Sequence, residues 1–185
     1  MGRDKAFLPV GGKPAALRVL ERVALLSDDV ILVTNSPDKY QSFVDCRITT
    51  DIHPGKGSLG GIYSALVVAR YPHCLVVGCD MPFLNVRVLR YLARVASIWD
   101  YDVVVPQVSG RFETLHAIYS KRCLYPIEQR ILHSELRIAS LFEDVRVCVV
   151  EQYRLERFDP LLHSFLNMNT PDEWRHLQQI AADGE

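Results

Sequence analysis

The stretch "CLVVGCDMP", residues 74–82, decides how this chain folds. Its first six residues carry no charge, and five of them are leucine, valine or cysteine, broken only by Gly78. Such a run suits a strand covered on both faces, as in a sheet layered between helices. Asp80 closes the run, and Pro82 turns the chain away. Asp80 should therefore project from the carboxyl edge of the sheet. A carboxylate at that place suits a hard divalent cation that keeps its waters and takes substrate phosphates. The plainer alternative is that Asp80 caps the following turn.

The flanks support a layered sheet. "IYSALVVARY" (62–71) and "NVRVLRYLARVASIW" (85–99) place Ile62, Leu66 and Ala69, then Leu89, Leu92 and Ala96, at helical spacing. Further out, "KPAALRVLERVALLS" (13–27) reads as a helix with Pro14 in its first turn. "DDVILVTN" (28–35), "CRITTD" (46–51), "YDVVVPQ" (101–107) and "VRVCVVEQ" (145–152) read as strands. "ETLHAIYS" (113–120) alternates as a half-exposed strand, and "LRIASLF" (136–142) reads as a short helix. The last helix is well signalled, with Thr170 as N-cap, Pro171 at N1 and Glu173 at N3 completing a capping box. Strands alternating with helices predict an α/β, Rossmann-like fold whose central sheet is mostly parallel, with helices on both faces.

Composition sets bounds. The 185 residues are 49% hydrophobic and 23% charged, with a net charge of −1. That is enough for one domain with a buried core. A near-neutral chain has no electrostatic grip on nucleic acid or an anionic membrane. No apolar run reaches the ~18 residues of a spanning helix, and no secretory pattern opens the chain. The reading is a cytoplasmic protein without nucleic-acid or membrane partners. Five cysteines, Cys46, Cys74, Cys79, Cys123 and Cys148, form no CxxC pair and read as small buried hydrophobes in a reducing compartment. Six histidines lack the spacing of a helical zinc pair.

In open sheets, ligands bind beyond the carboxyl ends of the strands. Besides Asp80, Asp51 ends a strand candidate and could accept hydrogen bonds from a sugar or base. Lys5 lies in "GRDKAFL", where an ammonium beside glycine-exposed amides could neutralise phosphate. Read alone, it is as easily a solvated lysine. Gly2 and Asp4 flank it, Asp4 as a turn former or as a group orienting Lys5. "GG" at 11–12 reads as a tight turn. "GKGSLGG" (55–61) reads as a glycine-rich loop leading into a helix N-terminus, or simply as a surface loop. Asn167 and Asn169 precede the last helix and could grip a polar ligand or a metal's water shell, or merely cap. His116 reads as a structural residue or a hydrogen-bonding wall more readily than as a base. No Ser/His/Asp or Cys/His arrangement stands out.

Together these pieces resemble the molybdenum cofactor guanylyltransferases, within the Rossmann-like nucleotidyltransferases. "MGRDKAFLPVGGKP" is similar to the second half of that family's L-A-G-G-x-S-x-R-M-G-x-D-K-A loop. "GSLGG" resembles its GPLAG turn, "CDMP" its C-D-x-P, "TLHAIY" its P-L-h-A-x-Y and "NMNTPDEW" its N-x-N-T-P-E/D ending. The motifs occur in the family's order across nearly the whole chain. The resemblance implies transfer of GMP from GTP to the phosphate of molybdenum-molybdopterin, releasing pyrophosphate. It implies Lys5 and Asp80 as catalytic residues, with Lys5, Asp51 and Asp80 binding the nucleotide. It further implies Mg²⁺ on Asp80, and Asn167 and Asn169 at the pterin substrate or metal. Molybdoenzymes or other cofactor-synthesis proteins would be partners. Ser58 and Gly60 replace the family's usual proline and alanine. The family's first strand and first half-loop, roughly 15–20 residues, have no counterpart. The expectation is one domain spanning 1–185, N-terminally incomplete, that binds GTP weakly. Alternatives within the reading are a CTP-using relative and a catalytically silent pterin- or partner-binding protein.

Overall fold

A computed structural model describes residues 5–42 and 44–184. Gly2 and Asp4 lie outside the described residues. A short antiparallel pair, β1 (Pro9–Val10) and β2 (Lys13–Pro14), turns through Gly11 and Gly12, with φ of 57° and 78°. Two consecutive left-handed residues make the tight hairpin turn that glycine tolerates best. Helix α1 (Ala15–Val23) follows, then β3 (Ile31–Val33) and β4 (Arg47–Thr49), which pair in parallel. Next come α2 (Gly57–Val68), β5 (His73–Val77) and α3 (Val86–Ile98). The second half holds β6 (Val103–Val108), β7 (Arg111–Phe112), β8 (His116–Ser120) and α4 (Leu124–Leu132). It closes with β9 (Val147–Glu151), α5 (Gln152–Leu155) and α6 (Pro171–Ala182). No described helix is long and apolar enough to cross a membrane.

The larger sheet runs β5–β8–β6, with β9 and β7 both pairing with β6. It is mixed and not mostly parallel. β6 pairs with β9, like β3 with β4, in parallel, but β5–β8, β6–β8 and β6–β7 are antiparallel. Connection length explains the difference. β6 reaches β7 through Ser109 and Gly110, with φ of 49° and 76°, and three residues separate β7 from β8. A parallel return needs a crossover of a dozen or more residues.

Strand alternation feeds two cores. Val103, Val105, Ala117 and Tyr119 pack with Leu59, Ile62 and Leu66 of α2 and Ile127 of α4. Val104 and Ile118 point the other way, against Val88 and Leu92 of α3. Fully burying each such side chain contributes about 1.5–3 kcal/mol before entropy is charged against it. β8 is buried at all five positions and is not the half-exposed strand its alternation suggested, because β5 and β6 flank it and helices cover both faces. The helix expected at 136–142 is a 3₁₀ segment, Ile138–Glu143.

Local signals hold at the last helix. Thr170 Oγ1 accepts from the Glu173 N–H at 3.2 Å, and the Glu173 carboxylate accepts from the Thr170 N–H at 2.8 Å. All five cysteines are free; Cys123 is buried and the others half-buried. Burial pushes the Cys74 thiol up to about 11 and that of Cys123 to about 12, so both behave as apolar side chains.

Candidate active site

The carboxyl ends of β3, β4 and β5 carry Asn35, Asp51 and Asp80, just past the apolar runs that hold them. After β5 the chain passes Gly78 and Cys79, and the Met81 N–H donates to the Gly78 carbonyl at 3.4 Å. This tight turn lays the Asp80 carboxylate back over Gly78. A methyl group at residue 78 would stand 2.6 Å from Asp80 Oδ1, closer than side-chain carbons come to any atom. Gly78 is buried and has no room for a side chain.

The segment before α6 meets this turn directly. The Met168 N–H donates to the Asp80 carbonyl at 3.1 Å, and the Met168 side chain is fully buried. Asn167 and Asn169 flank that anchor. Lys5 Nζ donates to Asn169 Oδ1 at 3.0 Å, and Asn169 Nδ2 donates to Asn167 Oδ1 at 2.7 Å. Glu173 fixes the Asn169 backbone through a 2.8 Å hydrogen bond. Hydrogen bonds thus join Lys5 to both asparagines, and the backbone of the intervening Met168 meets the backbone carbonyl of Asp80. The β1–β2 hairpin after Lys5 is pinned to α6, since Trp174 Nε1 donates to the Pro9 carbonyl at 2.9 Å and the Gly11 N–H donates to Gln178 at 3.1 Å.

Asp51 makes a reciprocal pair with Asn35. The Asp51 N–H donates to Asn35 Oδ1 at 3.1 Å, and Asn35 Nδ2 donates to Asp51 Oδ2 at 2.7 Å. The other carboxylate oxygen, Oδ1, is buried and has no hydrogen-bond partner among the described residues. It faces Gly61, where a methyl group would stand 3.7 Å away. Gly60 and Gly61 belong to the first turns of α2, so the expected glycine loop is in part helix. No side chain caps the N-terminus of α2, which leaves backbone N–H groups there for another acceptor. Among the described residues no hydrogen bond or ion pair joins Asp51 to Lys5 or Asp80. Ala6 and Cys79, their chain neighbours, pack in one cluster with Leu32 of β3, the strand that leads to Asn35.

Lys5, Asp80, Asn167 and Asn169 are therefore brought together, and Asp51 stands at the adjoining strand ends. Asn35 and Gly78 were not singled out from the sequence. Asn35 ends the apolar run "VILVTN" in the way Asp80 ends its own, so the same rule applied there would have found it. His116 is fully buried, stacked 4.4 Å from the Phe165 ring, and burial pushes its pKa down to about 3. Among the described residues neither ring nitrogen makes a hydrogen bond, although the Ser164 backbone lies near enough to favour the charged form slightly. It is a core residue and no hydrogen-bonding wall.

Known proteins resemble this chain in sequence and in fold. Residues 1–150 match the MobA-like NTP transferase domain family. The molybdenum cofactor guanylyltransferase of Desulfosudis oleivorans is 35% identical over 173 residues, covering 93% of this chain and 84% of the relative. The crystal structure of molybdopterin-guanine dinucleotide biosynthesis protein A from Archaeoglobus fulgidus superposes with a TM-score of 0.89 at 28% identity, over 98% of this chain and 92% of that one. A more distant likeness in fold is to 2-C-methyl-D-erythritol 4-phosphate cytidylyltransferase from Thermus thermophilus, with a TM-score of 0.73 at 16% identity over 96% of this chain and 93% of that one.

Proposed function

The chain belongs to the MobA-like NTP transferase family, a family of nucleotidyltransferase enzymes, and from that premise we propose that it transfers GMP from GTP to the terminal phosphate of molybdopterin. A phosphate oxygen of the pterin attacks the α-phosphorus, the bond to the bridging oxygen breaks, and pyrophosphate leaves. Such a reaction asks the protein for alignment and for neutralisation of charge spreading over phosphate oxygens.

The observation that carries the reading is the meeting at the strand ends of the hydrogen-bonded Lys5, Asn169 and Asn167 with the Asp80 turn, which the Met168 backbone holds. Lys5 supplies a held ammonium to the phosphates. Asn169 orients it, and with Asn167 offers amides to the pterin side. Asp51, braced by Asn35, keeps one acceptor oxygen free for a base or ribose donor. Among the described residues no three carboxylate, imidazole or thiol groups come together to cage a metal. Asp80 as a single carboxylate fits Mg²⁺, which takes one or two carboxylates and fills its shell with waters and phosphate oxygens. When bound there, the ion would neutralise the reacting phosphate oxygens. A cytoplasmic location belongs to the same reading, as do molybdoenzymes or other cofactor-synthesis proteins as recipients.

The test is product formation from GTP and CTP in parallel, with Mg²⁺ and molybdopterin. Product from GTP with little from CTP is expected. Equal or better use of CTP would overturn the choice of base while keeping the transferase. Tight pterin binding with no product from either nucleotide would identify a silent binding protein.

A further inference from the structure

β9 is the outer strand of the larger sheet. It pairs with β6 on one side, and its other edge makes no hydrogen bond to any described residue. Sheet edges are usually blunted by lysine, proline or a bulge, which stops a further strand from adding. β9 has none of these: its register with β6 is unbroken, and Val147 to Val150 are valine and cysteine alone.

Helix α3 stands beside that edge with a second face. Val88, Leu92 and Ala96 are buried against the sheet. Tyr91, Arg94, Val95 and Ile98, at i, i+3, i+4 and i+7 spacing, make another stripe. That stripe borders a groove of about 390 Å³ along residues 148–151. Trp99 and Tyr153 also line the groove, and both, like Ile98, are more than half exposed. Tryptophan, tyrosine and arginine are the residue types that dominate binding energy at protein interfaces. No residue lining the groove belongs to the site at the strand ends, so the groove is independent of the nucleotide reading.

The groove is graded along its length. Asp100, next to Trp99, is tied to Arg146 at 2.5 Å just before β9, so Ile98 and Trp99 lie at the amino end of the strand. Past the carboxyl end, α5 brings Arg154. Its Nε donates to Tyr153 Oη at 3.0 Å, and the Tyr91 hydroxyl also reaches it. Arg94 lies between, about one helical turn from both Tyr91 and Ile98. Among the described residues neither Arg94 nor Arg154 makes an ion pair. Cys148 and Val150 pack toward α3, so Val149 and Glu151 alternate onto the other face. The α3 side thus presents two guanidinium groups toward one end and apolar side chains at the other.

This pattern selects the occupant. A second copy paired edge to edge about a twofold axis would bring Cys148 and Val150 to this side, with two more arginines and no acid. We propose that the β9 edge and the α3 stripe form a docking groove for an extended acidic-apolar peptide segment of another protein. The segment adds antiparallel to β9 as one more strand. Its leading carboxylate lies at Arg94 and Arg154, and the apolar side chains that follow lie against Val95, Ile98 and Trp99.

The probe is acetyl-Glu-Thr-Val-Thr-Phe-Thr-amide, whose Glu, Val and Phe share one face of a strand. Added to the intact chain, it should slow amide exchange within 147–151 at least about tenfold. Replacing its Glu by Lys should weaken binding at least about tenfold. Arg94→Glu together with Arg154→Glu should weaken the original peptide to the same degree and restore binding of the Lys peptide. Both arginines are exposed, so these changes leave the core packed. Trp99→Ala should also weaken binding. A peptide N-methylated at every residue keeps the side chains, has no N–H to give a ladder, and should not bind. No protection of β9 at about 1 mM peptide, equal binding of the Glu and Lys peptides, or full binding of the methylated one would overturn the proposal. So would protection of β9 that appears without peptide as protein concentration rises, because the occupant would then be a second copy.

Discussion

At the scale of single residues, the carboxylate of Asp80 depends on a neighbour that has no side chain. Gly78 is buried, and the Asp80 oxygen occupies the space a β-carbon would need. Gly78→Ala is therefore expected to displace the carboxylate from this turn while leaving the sheet folded. We expect kcat/KM to fall by at least about tenfold, with a melting temperature within a few degrees of the wild type. Steady-state kinetics and thermal unfolding check both halves; unchanged kinetics would show that the carboxylate position is unimportant. The sequence showed Asp80 because it follows an apolar run, and Lys5 because "DKA" resembles a family loop. It did not show Gly78, since a glycine ending a strand has many uses and only the fold reveals what approaches it. Asn35 was passed over because attention to acids hid an amide placed by the same rule. Its pairing with Asp51 is a long-range contact that no local pattern states.

At the scale of elements, the legible parts were those with a local cause. α6 begins where its capping box begins, and α1, α3 and β9 fall inside the runs that predicted them. Thr170→Ala should remove about 1 kcal/mol and lower the melting temperature by about 2–4 °C. Because the same cap fixes Asn169, the substitution should also weaken pterin binding in titration, whereas an equally destabilising change on the exposed face of α6 should not. α4 escaped the sequence reading. Pro126 sits in its first turn, where a helix tolerates proline, and Ile127 and Ile131 bury one face. The sheet's mixed direction was missed for another reason. Helix-strand alternation was carried across 108–112, where there is room only for a turn and the two residues of β7. Loop length, not strand composition, settles that direction.

At the scale of the whole molecule, stability depends on groups far from the site. Asp102 lies at the start of β6, where burial works against its charge. A hydrogen bond from the Arg146 backbone and the Arg122 guanidinium outweigh that and hold its pKa below the usual carboxylate range. His116 acts more strongly and with its own pH window. Its folded pKa, about 3, lies below the unfolded value near 6.5, so the folded state prefers the neutral ring. Its contribution is fully present above about 6.5, declines as pH falls, and is lost by about 3. The slope is about 1.4 kcal/mol per pH unit within that window. Chemical denaturation between pH 7 and 4.5 should show this decline, and His116→Phe should flatten it. A variant with the wild-type slope would place the titrating group elsewhere.

The central claim is that Lys5 and Asp80, 75 positions apart in the chain, act on one phosphate group. A double-mutant cycle with Lys5→Met and Asp80→Asn, read as kcat/KM for nucleotidyl transfer, measures it most directly. Asp80→Asn should cost at least about 100-fold, the scale of one lost electrostatic contact. Lys5→Met should also be costly, and the double variant should fall well short of the product of the two losses. Near-normal turnover in Asp80→Asn, or two losses that multiply independently, would contradict the account.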